Sequence, residues 1–156
     1  MTFDEAVPVV LRDVPLAVLA QAEDHHDELL REFALISLGR AGDPATDLPD
    51  RLRALTARHG ERFPGVDGDT ERQRALALAR GAAHADLSFA VLPAAARQAA
   101  ELLALLEEAD QYCRQGTHLL TLAAPANAAR LRRWYLTQVI DQVAGRAPVS
   151  WLEYRD

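Results

Sequence analysis

The sequence predicts a mainly α protein, a bundle of four to five helices with two or three short strands; the alternative is an α+β fold with a small sheet. Alanine, the strongest helix former, makes up about a fifth of the 156 residues. Aromatic residues, which favour strands, make up only 6%. Apolar residues recur every three or four positions in most segments, which predicts helices with one buried face. The length predicts a single domain over residues 1–156.

The first elements are a strand and a long helix. Residues 7–14 are rich in β-branched side chains and predict a short strand. Pro15 suits the first turn of a helix, and the next glycine or proline is Gly39, so a helix is predicted up to about Arg40. Its apolar face is expected at spacings of three and four: Leu19, Ala22, His26, Leu29, Leu30, Phe33 and Ser37.

The middle of the chain predicts two shorter helices and a second strand. Residues 48–59 predict a helix capped by Asp47, and a capping-box pattern opens another helix over about 70–83. Residues 86–91 alternate polar and apolar side chains, which is typical of a half-buried strand.

The last third predicts two longer helices and a docked tail. One helix runs over about 93–115, and the other runs from Pro125 to Gly145. Between them, residues 118–122 are either a third strand or an extended linker. The tail holds Trp151 and Tyr154, and two aromatic residues so close together predict that it packs against the protein.

The charge narrows the classes of partner. The formal charge is −6, which argues against a general nucleic-acid binder. Residues 1–50 carry eleven acids and three arginines, whereas the rest of the chain is slightly basic. Acids occupy the N-terminus where a signal peptide needs basic residues, and no stretch reaches the roughly 18 apolar residues of a membrane span. We therefore expect a cytoplasmic protein that binds neither nucleic acid nor membrane.

An acidic and histidine-rich segment of the first helix is the first candidate interaction surface. It contains His25, His26, Asp27, Glu28 and Arg31. The periodicity places His26 on the apolar face and His25 on the wet face, and Asp27 is spaced for an ion pair with Arg31.

Metal binding by this segment is an alternative. Glu23 and His26 have the spacing that one helix of a di-iron bundle uses, but the chain has no second Glu-x-x-His. A mononuclear site would have to gather His26 with histidines from other segments. The chain offers three of these: His59, His84 and His118. We expect scattered histidines rather than a site, and no metal or cofactor.

A basic and aromatic cluster in the last helix is the second candidate interaction surface. It comprises Arg130, Arg132, Arg133, Trp134 and Tyr135. Arginine and tryptophan are common at interface hot spots, and the spacing predicts guanidinium groups that point outward. In the alternative interpretation, these arginines pair with the acidic first helix of the same molecule.

The sequence predicts no catalytic residue. It has no nucleotide-binding glycine motif and no nucleophile elbow. Cys113 follows the apolar face of its helix and is expected to be a small buried side chain. That face alternates strictly at three and four and is also a candidate homodimer seam: Leu92, Ala95, Ala99, Leu102, Leu106, Ala109 and Cys113.

Four segments resemble an uncharacterised actinobacterial family of small proteins: HHDELLREFALI at 25–36, EADQYCR at 108–114, LLTLA at 119–123 and RRWYL at 132–136. Genes of that family often lie beside those of STAS-domain anti-sigma antagonists, serine phosphatases and ATP-binding anti-sigma kinases. The resemblance implies a role in partner-switching regulation and assigns no chemistry to any residue. The glycine boxes and the asparagine-bearing helix of the kinases are absent from this sequence.

Together these observations predict a non-enzymatic regulatory protein in bacterial signalling. It is expected to bind a protein partner of the STAS or anti-sigma kinase type. The alternative is a small-ligand or metal-dependent enzyme with its site around His26.

Overall fold

The computed structural model describes residues 5–39, 68–115 and 123–155. These residues are mainly α with one two-stranded antiparallel sheet, so they agree with the α+β alternative more closely than with a pure bundle. No helix in these three ranges is long and apolar enough to cross a membrane. The element order is β1 (Val7–Pro15), α1 (Leu16–Gly39), α2 (Gly68–Ala79), β2 (His84–Val91), α3 (Ala95–Gln115) and α4 (Ala126–Val143).

These elements lie where the sequence predicts them, with shifts of a few residues at their ends. The largest differences are at α2, which ends at Ala79, and at β2, which begins at His84. The predicted helix at 48–59 and the predicted extended segment at 118–122 lie outside the described residues.

The sheet has one buried face. Val9 and Leu11 of β1 lie opposite Phe89 and Leu87 of β2, and all four side chains are buried. Helix α4 packs against β1, α1 and α3, and therefore lies at the centre of the fold. This explains why α4 buries residues around most of its circumference, including Trp134 and Leu136.

Both edges of this sheet are closed by glutamine side chains. The Gln142 amide of α4 accepts a hydrogen bond from the Val10 N–H at 2.8 Å and donates one to the Val10 carbonyl at 2.8 Å. On the other edge, Gln73 of α2 accepts from the Ser88 N–H at 2.9 Å and donates to the Ser88 carbonyl at 3.0 Å. Val10 and Ser88 are opposite each other in the sheet register. We call Gln142, Val10, Ser88 and Gln73 the amide row. In this row each glutamine side chain binds the strand backbone as a neighbouring strand would.

A β-bulge in β1 receives the C-terminal tail. The register slips between Leu11 and Val14, and Asp13 adopts a φ of 58°, in the left-handed region. Its N–H donates to the Asp86 carboxylate at 2.9 Å, and its own carboxylate accepts from the Ser150 hydroxyl at 2.7 Å. The bulge thereby connects both strands to the tail.

The tail is held by aromatic contacts, which confirms its predicted docking. The ring centroids of Trp134 and Trp151 lie 5.6 Å apart in an edge-to-face arrangement. Arg130 lies over the rings of Trp151 and Tyr154, at 4.6 and 5.2 Å, and donates to the Tyr154 carbonyl at 2.6 Å. The tail is therefore fixed to α4 by both rings and backbone.

We predict that Gln142→Ala lowers the free energy of unfolding by about 2 kcal/mol, because it leaves the N–H and carbonyl of Val10 without their partner. Urea denaturation followed by far-UV circular dichroism measures the change. Gln111→Ala is the matched control, since Gln111 is exposed on α3. Equal stabilities of the two variants would contradict the role of the amide row.

Candidate functional site

Three charged or polar side chains meet where α1, α3 and α4 come together. Arg132 donates a short hydrogen bond to the Asp110 carboxylate. His25 Nε2 lies 3.9 Å from the other Asp110 oxygen, which also accepts from the Ala124 N–H at 3.3 Å. All three side chains are buried. We call His25, Asp110 and Arg132 the polar cluster.

The polar cluster links three helices through polar side chains. Burying an ion pair costs desolvation that the attraction between the charges only partly offsets, so such a pair contributes more to specificity than to stability. The Arg132 Nε atom is buried and has no hydrogen-bond partner in the described residues. Asp110 accepts hydrogen bonds from Arg132 and from the Ala124 N–H. It thereby holds both Arg132 and the segment before α4 in place.

The basic and aromatic cluster does not form the outward surface that the sequence predicts. Arg132 and Trp134 are buried, because α4 is surrounded by other elements, and Tyr135 is buried on the side that the spacing predicts to face inward. Arg133 is half-buried and pairs with Glu107 of α3 at 3.1 Å, and Arg130 binds the tail. The alternative interpretation, in which these arginines pair within the molecule, agrees with the contacts of Arg132 and Arg133, but the acids of these two contacts lie on α3, whereas the sequence predicts acids of α1.

The two histidines of α1 are both buried, at 7% exposure for His25 and 2% for His26. The prediction is confirmed for His26 and wrong for His25, because α1 turns a wider face inward and His25 reaches Asp110 on α3. His84 is exposed at the first residue of β2, and the described residues contain no group of three or more metal-ligating side chains. His59 and His118 lie outside those residues.

Cys113 is buried one helical turn after Asp110, as the sequence predicts. Burial, and next the negative charges of Asp110 and Glu32, raise the pKa of the Cys113 thiol to about 11. Two nearby guanidinium groups, of Arg132 and Arg114, oppose this shift less strongly. The thiol is therefore kept neutral, which is the opposite of what a cysteine nucleophile needs.

The candidate homodimer seam is buried within one molecule. Its residues on α3 pack in the same core as α4, and only the first member, Leu92, is largely exposed. This face is therefore not free to bind a second copy in the folded monomer. The buried members are Ala99, Leu102, Leu106, Ala109 and Cys113.

The outer side of α1 carries exposed acids. Asp24, Asp27 and Glu28 lie at spacings of three and four and are all exposed; we call them the acidic face. Arg31 is also exposed, but the predicted ion pair between Asp27 and Arg31 does not form. Beside this face, Asp27, Leu30, Arg31 and Ala34 line a groove of about 690 Å³, including space open to solvent. Charged and apolar groups are thus presented together.

Asp110 is the residue of this site that the sequence predictions omit. It lies four residues after Leu106 and three before Cys113, which are both buried. A lone acid at these spacings lies within the apolar stripe of its helix, and a charge in that position needs a partner. The spacing of Asp110 could therefore have predicted a buried acid. Which residue pairs with it, namely Arg132, depends on how the helices pack.

Comparisons with family models, with curated proteins and with solved structures find no match to this chain. Function is therefore inferred from the chemistry of the described residues.

Removing one charge of the ion pair in the polar cluster should lower the free energy of unfolding more than removing both charges. We predict that Arg132→Met costs about 3 to 5 kcal/mol of unfolding free energy, because it leaves Asp110 charged and buried without its partner. The double variant Asp110→Leu/Arg132→Met should be more stable than Arg132→Met alone. Denaturant unfolding measures both, with Arg114→Met as the exposed control. Strictly additive losses would contradict a coupled pair.

The Cys113 thiol should resist alkylation in the folded protein. A pKa of about 11 in place of 9.0 lowers its thiolate fraction at about pH 8 by about 100-fold. Iodoacetamide labelling, followed by mass spectrometry, should therefore be at least that much slower in buffer than in concentrated guanidinium chloride. Equal rates in the two solvents would show that the thiol is accessible and ionised.

Proposed function

We propose that this protein is a non-enzymatic regulatory protein that binds a basic protein partner through the acidic face of α1. The observation that supports this proposal is the exposure of the three acids and their lack of an ion pair with any described residue. Asp24, Asp27 and Glu28 are exposed on one side of a helix, and no described residue forms an ion pair with them. A partner with arginine or lysine side chains would supply the missing charges.

The other charges near α1 support the same surface. Within the polar cluster, Arg132 is bound to Asp110, and Arg133 is bound to Glu107. These two cations are therefore engaged with acids of α3 and not with the acidic face. The groove beside that face adds Leu30 and Ala34, which a partner's apolar side chain would contact. Apolar contact with a polar surround is typical of protein interfaces.

The resemblance to actinobacterial proteins encoded near STAS-domain antagonists and anti-sigma kinases supplies the proposed context. We propose that the partner is a protein of one of these two classes, in a cytoplasmic partner-switching pathway. A homodimer would have to use a surface other than the seam of α3, which is buried.

The test is a direct binding measurement with STAS-domain and anti-sigma kinase proteins from the genome that encodes this protein. We predict that Asp24→Arg/Glu28→Arg raises the Kd for the cognate partner at least tenfold and weakens its salt dependence, because two attractive charges become repulsive. Isothermal titration calorimetry at two ionic strengths measures both effects.

The matched control is Glu5→Arg/Glu153→Arg, which changes the net charge equally at exposed positions outside α1. It should leave the Kd within twofold of the unmodified protein. If the unmodified protein binds none of these candidates, or if both variants lose affinity equally, the proposal is wrong.

A further inference from the structure

Helix α2 buries very little of its own surface. Only Thr70 and Ala77 are buried along its 12 residues, and both side chains are small. Its two large apolar residues point the other way, since Leu76 is 64% and Leu78 is 54% exposed. Apolar burial is the main source of helix stability in proteins, so the side chains of α2 themselves contribute little to its stability, and what holds it is the surface that it covers and its polar contacts.

Beneath α2 lies a cleft with an apolar floor. Leu19, Leu87, Phe89 and Tyr135 form this floor, and the rings of Phe89 and Tyr135 stack with centroids 6.1 Å apart. The cleft measures about 320 Å³, including space open to solvent, and Thr70, Glu71 and Arg74 of α2 line its other side. The floor residues are all buried, so the helix above them keeps water away from a large apolar surface.

Polar contacts near the surface hold α2 over this floor. Gln73 binds the Ser88 backbone in the amide row, and Arg74 binds Glu23 of α1 at 2.5 Å. The Arg74 and Glu23 side chains are 23% and 27% exposed. Hydrogen bonds and ion pairs with access to water contribute little net stability, since water competes for both partners.

The chain after α2 turns sharply towards β2. The N–H of Ala82 donates to the Ala77 carbonyl, and the N–H of Gly81 donates to the Leu78 carbonyl, which together make a Schellman motif. Gly81 has a φ of 75°, in the region that favours glycine. This turn ends the helix without burying it, and β2 begins only three residues later.

From these observations we propose that α2 is a lid, which detaches while the rest of the protein stays folded. Detachment uncovers the apolar floor and releases Glu23 from Arg74. Glu23 then joins the neighbouring acids Asp24 and Asp27 of α1. The occupant that fits the open state is a partner segment with an arginine or lysine beside an apolar side chain, because it replaces Arg74 at Glu23 and covers the floor.

This inference deepens the proposed function, on which it rests for the identity of the occupant only. It makes binding of a basic partner and closure of α2 mutually exclusive, since both use Glu23. The opening of α2 itself is measured without any partner, so its failure and the failure of the proposed function are distinguishable.

Hydrogen exchange with mass spectrometry, on the full chain alone, tests the lid. Amides of α2 should exchange at least 100-fold faster than those of α4, because local opening is less costly than global unfolding. Glu23→Gln and Arg74→Met should each speed exchange of α2 at least threefold further and leave α4 unchanged. They should also raise the binding of Nile red, a neutral apolar dye, to the uncovered floor.

Arg72→Met is the matched control, because Arg72 lies on the outer side of α2 and pairs with Asp69 within the same helix. It should change neither the relative exchange of α2 and α4 nor dye binding. If α2 and α4 exchange at the same rate, or if Arg74→Met accelerates every element equally, α2 opens only with the whole protein and the lid is excluded.

Discussion

The amide row joins the sheet to the helices on both of its sides. A two-stranded sheet leaves two edges of unpaired N–H and carbonyl groups, and such edges attract other strands. Gln142 and Gln73 satisfy these groups at the opposed residues Val10 and Ser88. Because each glutamine belongs to a helix, the same contacts fix α4 against β1 and α2 against β2. The position of α4 then determines where α1 and α3 pack.

The two ends of the amide row differ in what supports them. Gln142 lies on a helix in which half of the 18 residues are buried, and Gln138 beside it accepts from both the Gln142 amide and the Val149 N–H. Gln73 lies on a helix with two buried residues, Thr70 and Ala77. The same pair of hydrogen bonds is therefore made from a well-packed helix at β1 and from a largely exposed helix at β2. Stability is unevenly distributed in most proteins, and elements of low stability are where binding is regulated.

Much of the fold was predictable from local patterns. The β-branched run in β1 and the spacing of apolar residues in α3 indicated both elements, because burial imposes these periods on the sequence. Which side chains pair between distant elements was harder to predict from the sequence. Nothing local distinguishes Gln142 from an exposed glutamine, and only the packing of α4 brings it to Val10. His25 was misplaced for the same reason, since its burial depends on the neighbouring Asp110 of another helix.

The contact between Trp134 and Trp151 has a practical consequence for spectroscopy. These are the two tryptophans of the chain, and they lie together where the tail meets α4. Intrinsic fluorescence therefore samples one location, and energy transfer between the rings makes the two emissions a single signal. It reports release of the tail from α4, and neither tryptophan belongs to α1 or α2. A fluorophore on either helix would have to be introduced to follow them.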